Sequence, residues 1–262
     1  AMEGVTEHYP IVAWKVYTHA GGPGWWLDDA DPARPQVCNR FVEQAVALGR
    51  PTIAVHKGFG NGSPHASPAD VGPAARAHSD ARFVVYHSGF EASVEEGPYT
   101  AATRHVGVNR LVRTVLESGV GPGANVYAEL GSTWRAVMGD PDAAAHVVGK
   151  LLRFLGEDNV VWGTDSIWYG SPQDQIQAFR SFEISEEFQE QYGYPALTAK
   201  TKEKILGLNS AKIYKVKPTR DDCEFTREEL EQVRQALPTG MRTFGPTTVK
   251  DTAALIRAHG IA

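Results

Sequence analysis

Three short apolar runs in this chain end in residues that bind metal ions or move protons: Thr52-Ile-Ala-Val-His56, Phe83-Val-Val-Tyr-His87 and Val161-Trp-Gly-Thr-Asp165. Neutral imidazole and carboxylate are the ligands that Zn²⁺ and similar ions favour. One such ending carries little weight, because a strand-terminal His can simply hydrogen-bond a neighbouring loop. Three at equivalent places argue for convergence, since parallel strands of one barrel aim their C-terminal ends at a common mouth. The pattern therefore predicts His56, His87 and Asp165 as ligands of a divalent ion, with Zn²⁺ the first choice and Mn²⁺ or Fe²⁺ as alternatives.

Other residues gather near the same ends. In Trp14-Lys15-Val16-Tyr17-Thr18-His19, alternation puts Lys15, Tyr17 and His19 on one face of a strand. A buried lysine costs free energy unless it is neutral, paired or modified, so Lys15 is either a solvent-facing strand residue or a catalytic member of the site. His19 could shuttle a proton or touch substrate, or simply start a surface loop. Glu129, in Tyr127-Ala-Glu-Leu130, could orient a ligand or contact substrate; a structural salt bridge is the alternative. Trp25, Trp26, Trp134, Trp168 and Tyr169 follow strands and could wall a pocket for an apolar or ring-bearing substrate, or pack in the core. Of the remaining histidines only His65, in the loop after His56, is near enough to be a candidate contact.

The elements that must position these residues are legible as a rhythm. Strands are predicted at 11–19, 52–56, 82–87, 125–130 and 160–165, each bounded by Gly, Pro, Asn or Asp. Amphipathic helices are predicted between them, over about 37–48, 108–116 and 144–155, closed by Gly49, Gly119 and Gly156. Further helices are expected from Ser171-Pro172 to about Phe182, at Glu186–Tyr192, at Thr198–Leu206, after a capping box at Thr226–Glu229, and at Thr248–His259. Strands separated by helices imply parallel pairing, in a doubly wound sheet or a (β/α) barrel. Gly58-Phe-Gly-Asn-Gly62 runs into Ser63-Pro64 rather than opening a helix, which disfavours a nucleotide fingerprint. The fold class is thus α/β of the (β/α) TIM-barrel type, with a barrel region over 1–215 and a small helical extension over 216–262.

Composition excludes several function classes. The 262 residues are 42% hydrophobic with a net charge of −5, so a sizeable core is expected and a nucleic-acid partner is not. Cys38 and Cys223 form no CxxC spacing, which argues against a disulfide framework or zinc ribbon and for a reducing, cytoplasmic setting. No apolar run reaches the roughly 20 residues of a membrane span, nor do the first residues read as a signal peptide.

Val-His56-Lys-Gly, Tyr-His87-Ser-Gly, Trp-Gly-Thr-Asp165-Ser and Lys-Ile-Leu-Gly-Leu-Asn209-Ser-Ala-Lys-Ile-Tyr214 resemble the amidohydrolase superfamily, in its amidohydrolase-related branch, over about residues 10–215. The resemblance implies a distorted TIM barrel, in which His56, His87 and Asp165 match the metal-site positions after strands five, six and eight. It also implies a metal-activated water whose proton Asp165 accepts as hydroxide attacks a carbonyl carbon of an amide, lactone or similar bond in a small molecule. Lys15 matches the strand-four position, a carboxylated bridging lysine in two-metal members. The family's first-strand His-x-His pair occurs nowhere in the chain. Strands one to three are therefore expected outside it, as a missing N-terminal segment, and an incomplete barrel would have reason to form a homo-oligomer. Non-oxidative decarboxylation with a similar metal site and a non-catalytic binding remnant are the alternative readings.

Overall fold

A computed structural model describes residues 1–33, 36–60, 62–218 and 226–236. The chain divides into two units, Ala1–Pro218 and Thr219–Ala262. In the first, five strands form one parallel sheet: β1 (Trp14–Tyr17), β2 (Thr52–His56), β3 (Arg82–Tyr86), β4 (Val126–Glu129) and β5 (Val160–Val161). Their spatial order is their chain order, β1-β2-β3-β4-β5. A doubly wound sheet reverses its order at a switch point, whereas a (β/α) barrel adds each strand on the same side of the last. This sheet follows the second rule and is not closed.

Helices carry the chain between strands. In order they are α1 (Met2–His8), α2 (Cys38–Ala47), α3 (Val71–Ala77), α4 (Asn109–Glu117), α5 (Thr133–Val137) and α6 (Pro141–Leu155). There follow α7 (Ser166–Tyr169), α8 (Gln173–Ser181), α9 (Glu186–Tyr192), α10 (Ala199–Glu203), a π-helical turn at Lys204–Leu208, and α11 (Asn209–Tyr214). Local chemistry sets several ends. Asp140 caps α6 by accepting from the backbone N–H groups of Asp142 and Ala143, with Pro141 in the first turn, where its missing N–H costs nothing. Gly49 and Gly119 take left-handed φ values of 69° and 67° beyond α2 and α4. In the second unit α12 (Arg227–Ala236) opens with the expected capping box: Glu229 N–H donates to Thr226 Oγ1, and Thr226 N–H donates to Glu229 Oε2. The helix expected at Thr248–His259, and Cys223, lie outside the described residues.

Side chains alternate between the two faces of the sheet. Ile53, Val55, Phe83, Val85, Val126, Ala128 and Val160 point to the face covered by helices and form the main core with residues such as Val42, Leu111, Val147 and Leu151. The opposite face carries Lys15, Tyr17, His56, Tyr86, Tyr127 and Glu129 around a small apolar patch of Ala54, Val84, Val161 and Ile213. In a barrel this second face is the interior, so the placement of Lys15 and Tyr17 on one face holds.

Two expected elements differ. The last strand is only Val160–Val161, because the next backbone N–H, that of Trp162, donates to the Ile205 carbonyl instead of to a sheet partner. Ile205 lies in the π-helical turn that interrupts the single helix expected over Thr198–Leu206. Asn209 secures the junction, its Nδ2 donating to the carbonyls of Glu157 and Val160.

Candidate active site at the strand ends

Most of the chemistry lies just beyond the strands, in turns whose backbones are strained. Among the described residues six non-glycine positions have positive φ, and five of them follow strands: Phe59 after β2, His87 and Ser88 after β3, Ser132 after β4 and Asp165 after β5. Each such conformation costs of order 1 kcal/mol or more and persists where surrounding bonds enforce it.

His87 shows how the enforcement works. Its backbone N–H donates to Glu129 Oε2 (3.1 Å), its carbonyl accepts from Thr133 Oγ1 (2.9 Å), and Ser88 Oγ donates to the Glu129 carbonyl (2.8 Å). Its ring Nδ1 lies 2.6 Å from the Gly131 carbonyl. A carbonyl only accepts, so Nδ1 carries the proton and Nε2 keeps a free lone pair. Burial pushes the imidazole pKa down, against the opposing pull of the Gly131 carbonyl and Asp165, so the ring is neutral near pH 7.

Glu129 braces this turn. It is 7% exposed, and its second oxygen accepts from Gly131 N–H (2.9 Å). Burial raises its pKa to about 7, held back by the N–H donors of His87 and Gly131 and by Lys15. The same carboxylate presses on the strand that leads to Asp165: a Cβ added at Gly163 would lie 1.4 Å from Glu129 Oε1. Glycine is therefore required there. Both Glu129 oxygens are thus engaged by backbone N–H groups, those of His87 and Gly131.

His56 and His19 pack ring to ring (4.7 Å between centroids), and His56 stands 4.3 Å from His87. Burial, then the charges that His87, His19 and Lys15 would carry, push His56 down to about 3. His19 is shifted down too, by burial and then by Lys57 and the neighbouring imidazoles. The buried Nδ1 atoms of both rings have no hydrogen-bond partner. Lys15 Nζ lies over the Tyr86 ring, 3.1 Å from its centroid, and burial lowers its pKa to about 8 against the pull of Glu129 and Asp165. Asp165 takes φ 50° at the start of α7, and its Oδ2 accepts from Ser132 Oγ (2.6 Å). Ser132 Oγ also lies 3.0 Å from Tyr169 Oη.

The donor types suit a divalent ion: neutral imidazoles, one free Nε2, unpartnered buried Nδ1 atoms and a carboxylate. Their arrangement differs from the expected closed set of His56, His87 and Asp165. Among the described residues no three His, Cys, Asp or Glu side chains come together closely enough to hold an ion. Asp165 Oδ2 is bound by Ser132 and lies 3.6 Å from His87 Nδ1, the ring nitrogen already bonded to the Gly131 carbonyl.

The remaining candidates fall into place around this centre. Trp134 does not line a pocket: it is 1% exposed, packs on Phe179 and Phe182, and donates its indole N–H to the Gln175 carbonyl. Trp168 is 77% exposed on α7, three residues beyond Asp165. His65 packs against Trp26 with the rings tilted (4.6 Å between centroids) and lends its carbonyl to Thr18 Oγ1 and Lys57 Nζ. A cavity of about 290 Å³ opens between the loops after β2 and β3, lined by Gly58, Phe59, Ser63, Glu91 and Arg110 among others; Phe59 stands edge-on to His87 at its rim. Sequence reasoning missed the buried Lys57–Asp70 ion pair (2.7 Å) that pins the β2 loop, and missed Ser132 altogether. A lysine directly after an apolar strand was a usable sign of the first; Ser132 differs in sequence from no ordinary loop serine.

No curated protein matches the chain significantly. A crystal structure of a protein from Pseudomonas putida, assigned as a 2-pyrone-4,6-dicarboxylic acid hydrolase, is similar in fold, with a TM-score of 0.52 at 11% identity. The likeness covers 83% of this chain and 68% of that one. The amidohydrolase family model matches residues 6–216, which takes in all five strands and every side chain of the centre described above. The chain belongs to the amidohydrolase family.

Proposed function

We propose that this protein hydrolyses an amide, lactone or similar bond of a small molecule, with Asp165 as the base that takes the proton of the attacking water. The observation that carries this reading is the Asp165 carboxylate, held at the strand ends by Ser132 in a strained turn, beside a neutral His87 of fixed tautomer. A carboxylate so held is positioned before the reaction and need not reorganise during it. Lys15, on the interior face, supplies a positive charge that can favour the developing oxyanion. Neutral His56 and His87 offer lone pairs rather than charge, the form in which imidazole orients water or holds a cation.

In this reading His56, His87 and Asp165 would hold a divalent ion, Zn²⁺ before Mn²⁺ or Fe²⁺; their donor types suit one, although the three side chains do not close on a common point here. When bound it would acidify a water and polarise the scissile carbonyl. Elemental analysis of protein purified without chelator tests this part. About one transition metal per chain, with turnover lost to a chelator and restored by Zn²⁺, is the expected result. Full turnover from metal-free protein would overturn the metal assignment while leaving hydrolysis standing. The likeness to a protein named for a pyrone dicarboxylate makes 2-pyrone-4,6-dicarboxylate and simpler lactones the first substrates to try.

A further inference from the structure

Ser132 carries a cost that the fold alone does not require. Its backbone lies at φ 56° and ψ −33°, outside the ordinary regions for a residue with a Cβ, although it only opens the five-residue helix α5. Its side chain caps nothing there: it makes no hydrogen bond to the helix backbone. Instead Oγ reaches across to the turn after the neighbouring strand, donating to Asp165 Oδ2 at 2.6 Å with Tyr169 Oη 3.0 Å behind it. Asp165 is itself left-handed, so two strained residues from two different loops are joined through one short bond. Tyr169 is held in turn by the Arg135 guanidinium over its ring, 4.6 Å from the centroid. Arg135 lies in α5, three residues after Ser132, so both ends of the chain of contacts spring from one element.

We propose that Ser132, backed by Tyr169, is a positioning residue that fixes the Asp165 carboxylate, occupying Oδ2 so that Oδ1 is the oxygen presented to water. The strain at Ser132 is maintained for this contact and not for stability. The proposal rests on the hydrolase reading for its catalytic consequence, but its geometric content is independent of it.

Glycine is the discriminating substitution, because it removes the hydroxyl and also relieves the positive φ. Ser132→Gly is expected to melt at or above the wild-type temperature and above Ser132→Ala, which loses the bond and keeps the strain. A crystal structure of Ser132→Gly is expected to show the Asp165 carboxylate rotated away from its present direction. With a lactone that the wild type turns over, kcat falls roughly tenfold to a hundredfold while KM moves little. Tyr169→Phe, which keeps the ring under Arg135, falls by a smaller factor. Ser132→Asn tolerates the backbone and offers a new donor, so it recovers part of kcat. An unmoved Asp165 in Ser132→Gly, or a glycine variant no more stable than the alanine variant, would overturn the proposal. A rotated carboxylate with hydrolysis unchanged would support the positioning role and instead remove Asp165 from the hydrolytic step.

Discussion

At the scale of single residues, the site is built from a few close approaches that tolerate little change. Asp165 can serve as base only while its carboxylate is free to take a proton, so Asp165→Asn should lower kcat by about a thousandfold or more without unfolding the protein. Steady-state kinetics beside a thermal melt separate the two effects. Gly163 is a sharper structural case. The methyl group of Gly163→Ala would fall 1.4 Å from Glu129 Oε1 and 3.2 Å from Gly131 N, so the Glu129 brace must shift. The expected cost is about 3 kcal/mol of stability in urea unfolding, with loss of activity from displacement of His87 and Asp165. The sequence displayed part of this: His56, His87 and Asp165 stood out because each ended an apolar run. The His87 tautomer, the Ser132 contact and the need for glycine at 163 depend on approaches between loops far apart in the chain. Residue type does not encode those approaches. The Trp134 expectation failed for a related reason, since an indole after a strand is placed by the packing of Phe179 and Phe182 and not by its neighbours in sequence.

At the scale of elements, hydrophobic periodicity located the strands and the three main helices to within a few residues. One face of each is buried, and the burial imposes the period. The failures lie where a tertiary hydrogen bond replaced a regular one, at Trp162 with Ile205 and in the π-helical turn. The seam between α6 and α9 makes a testable element-scale prediction. His146 on α6 is 7% exposed, packs against Phe188 and Tyr192, and lies within hydrogen-bond distance of Tyr194 Oη (3.0 Å). Burial, then the Lys150 charge, lower its pKa to about 4 from 6.5. Between those two values the unfolded chain binds a proton that the folded one refuses. The neutral ring's contribution is therefore fully present above pH 6.5 and is lost as the pH falls toward 4. The loss amounts to at most roughly 3 kcal/mol. His146→Gln should flatten the pH dependence of stability in that window, measured as the difference between variant and wild type in urea titrations. A variant with the wild-type slope would show that the ring is free to ionise in the folded state.

At the scale of the whole molecule, strand pairing places the functional side chains. Parallel pairing brings the C-terminal ends of β1 to β5 to one rim, and the register sets Lys15, His56, Tyr86 and Glu129 on one face. Alternation of strands and helices in sequence narrowed the fold to two architectures, and the lack of a nucleotide fingerprint favoured the barrel; the unreversed pairing order agrees with that choice. No helix among the described residues is long and apolar enough to cross a membrane. Hydrolysis at this rim, with Asp165 as the base, is the activity proposed for the protein. The most direct measurement is the hydrolysis of a panel of small lactones and amides, beginning with 2-pyrone-4,6-dicarboxylate, by the wild type and by Asp165→Asn with Zn²⁺ supplied to both. Turnover by the wild type that is lost in the equally stable Asp165→Asn is the predicted result. Equal turnover by the two proteins would contradict the account.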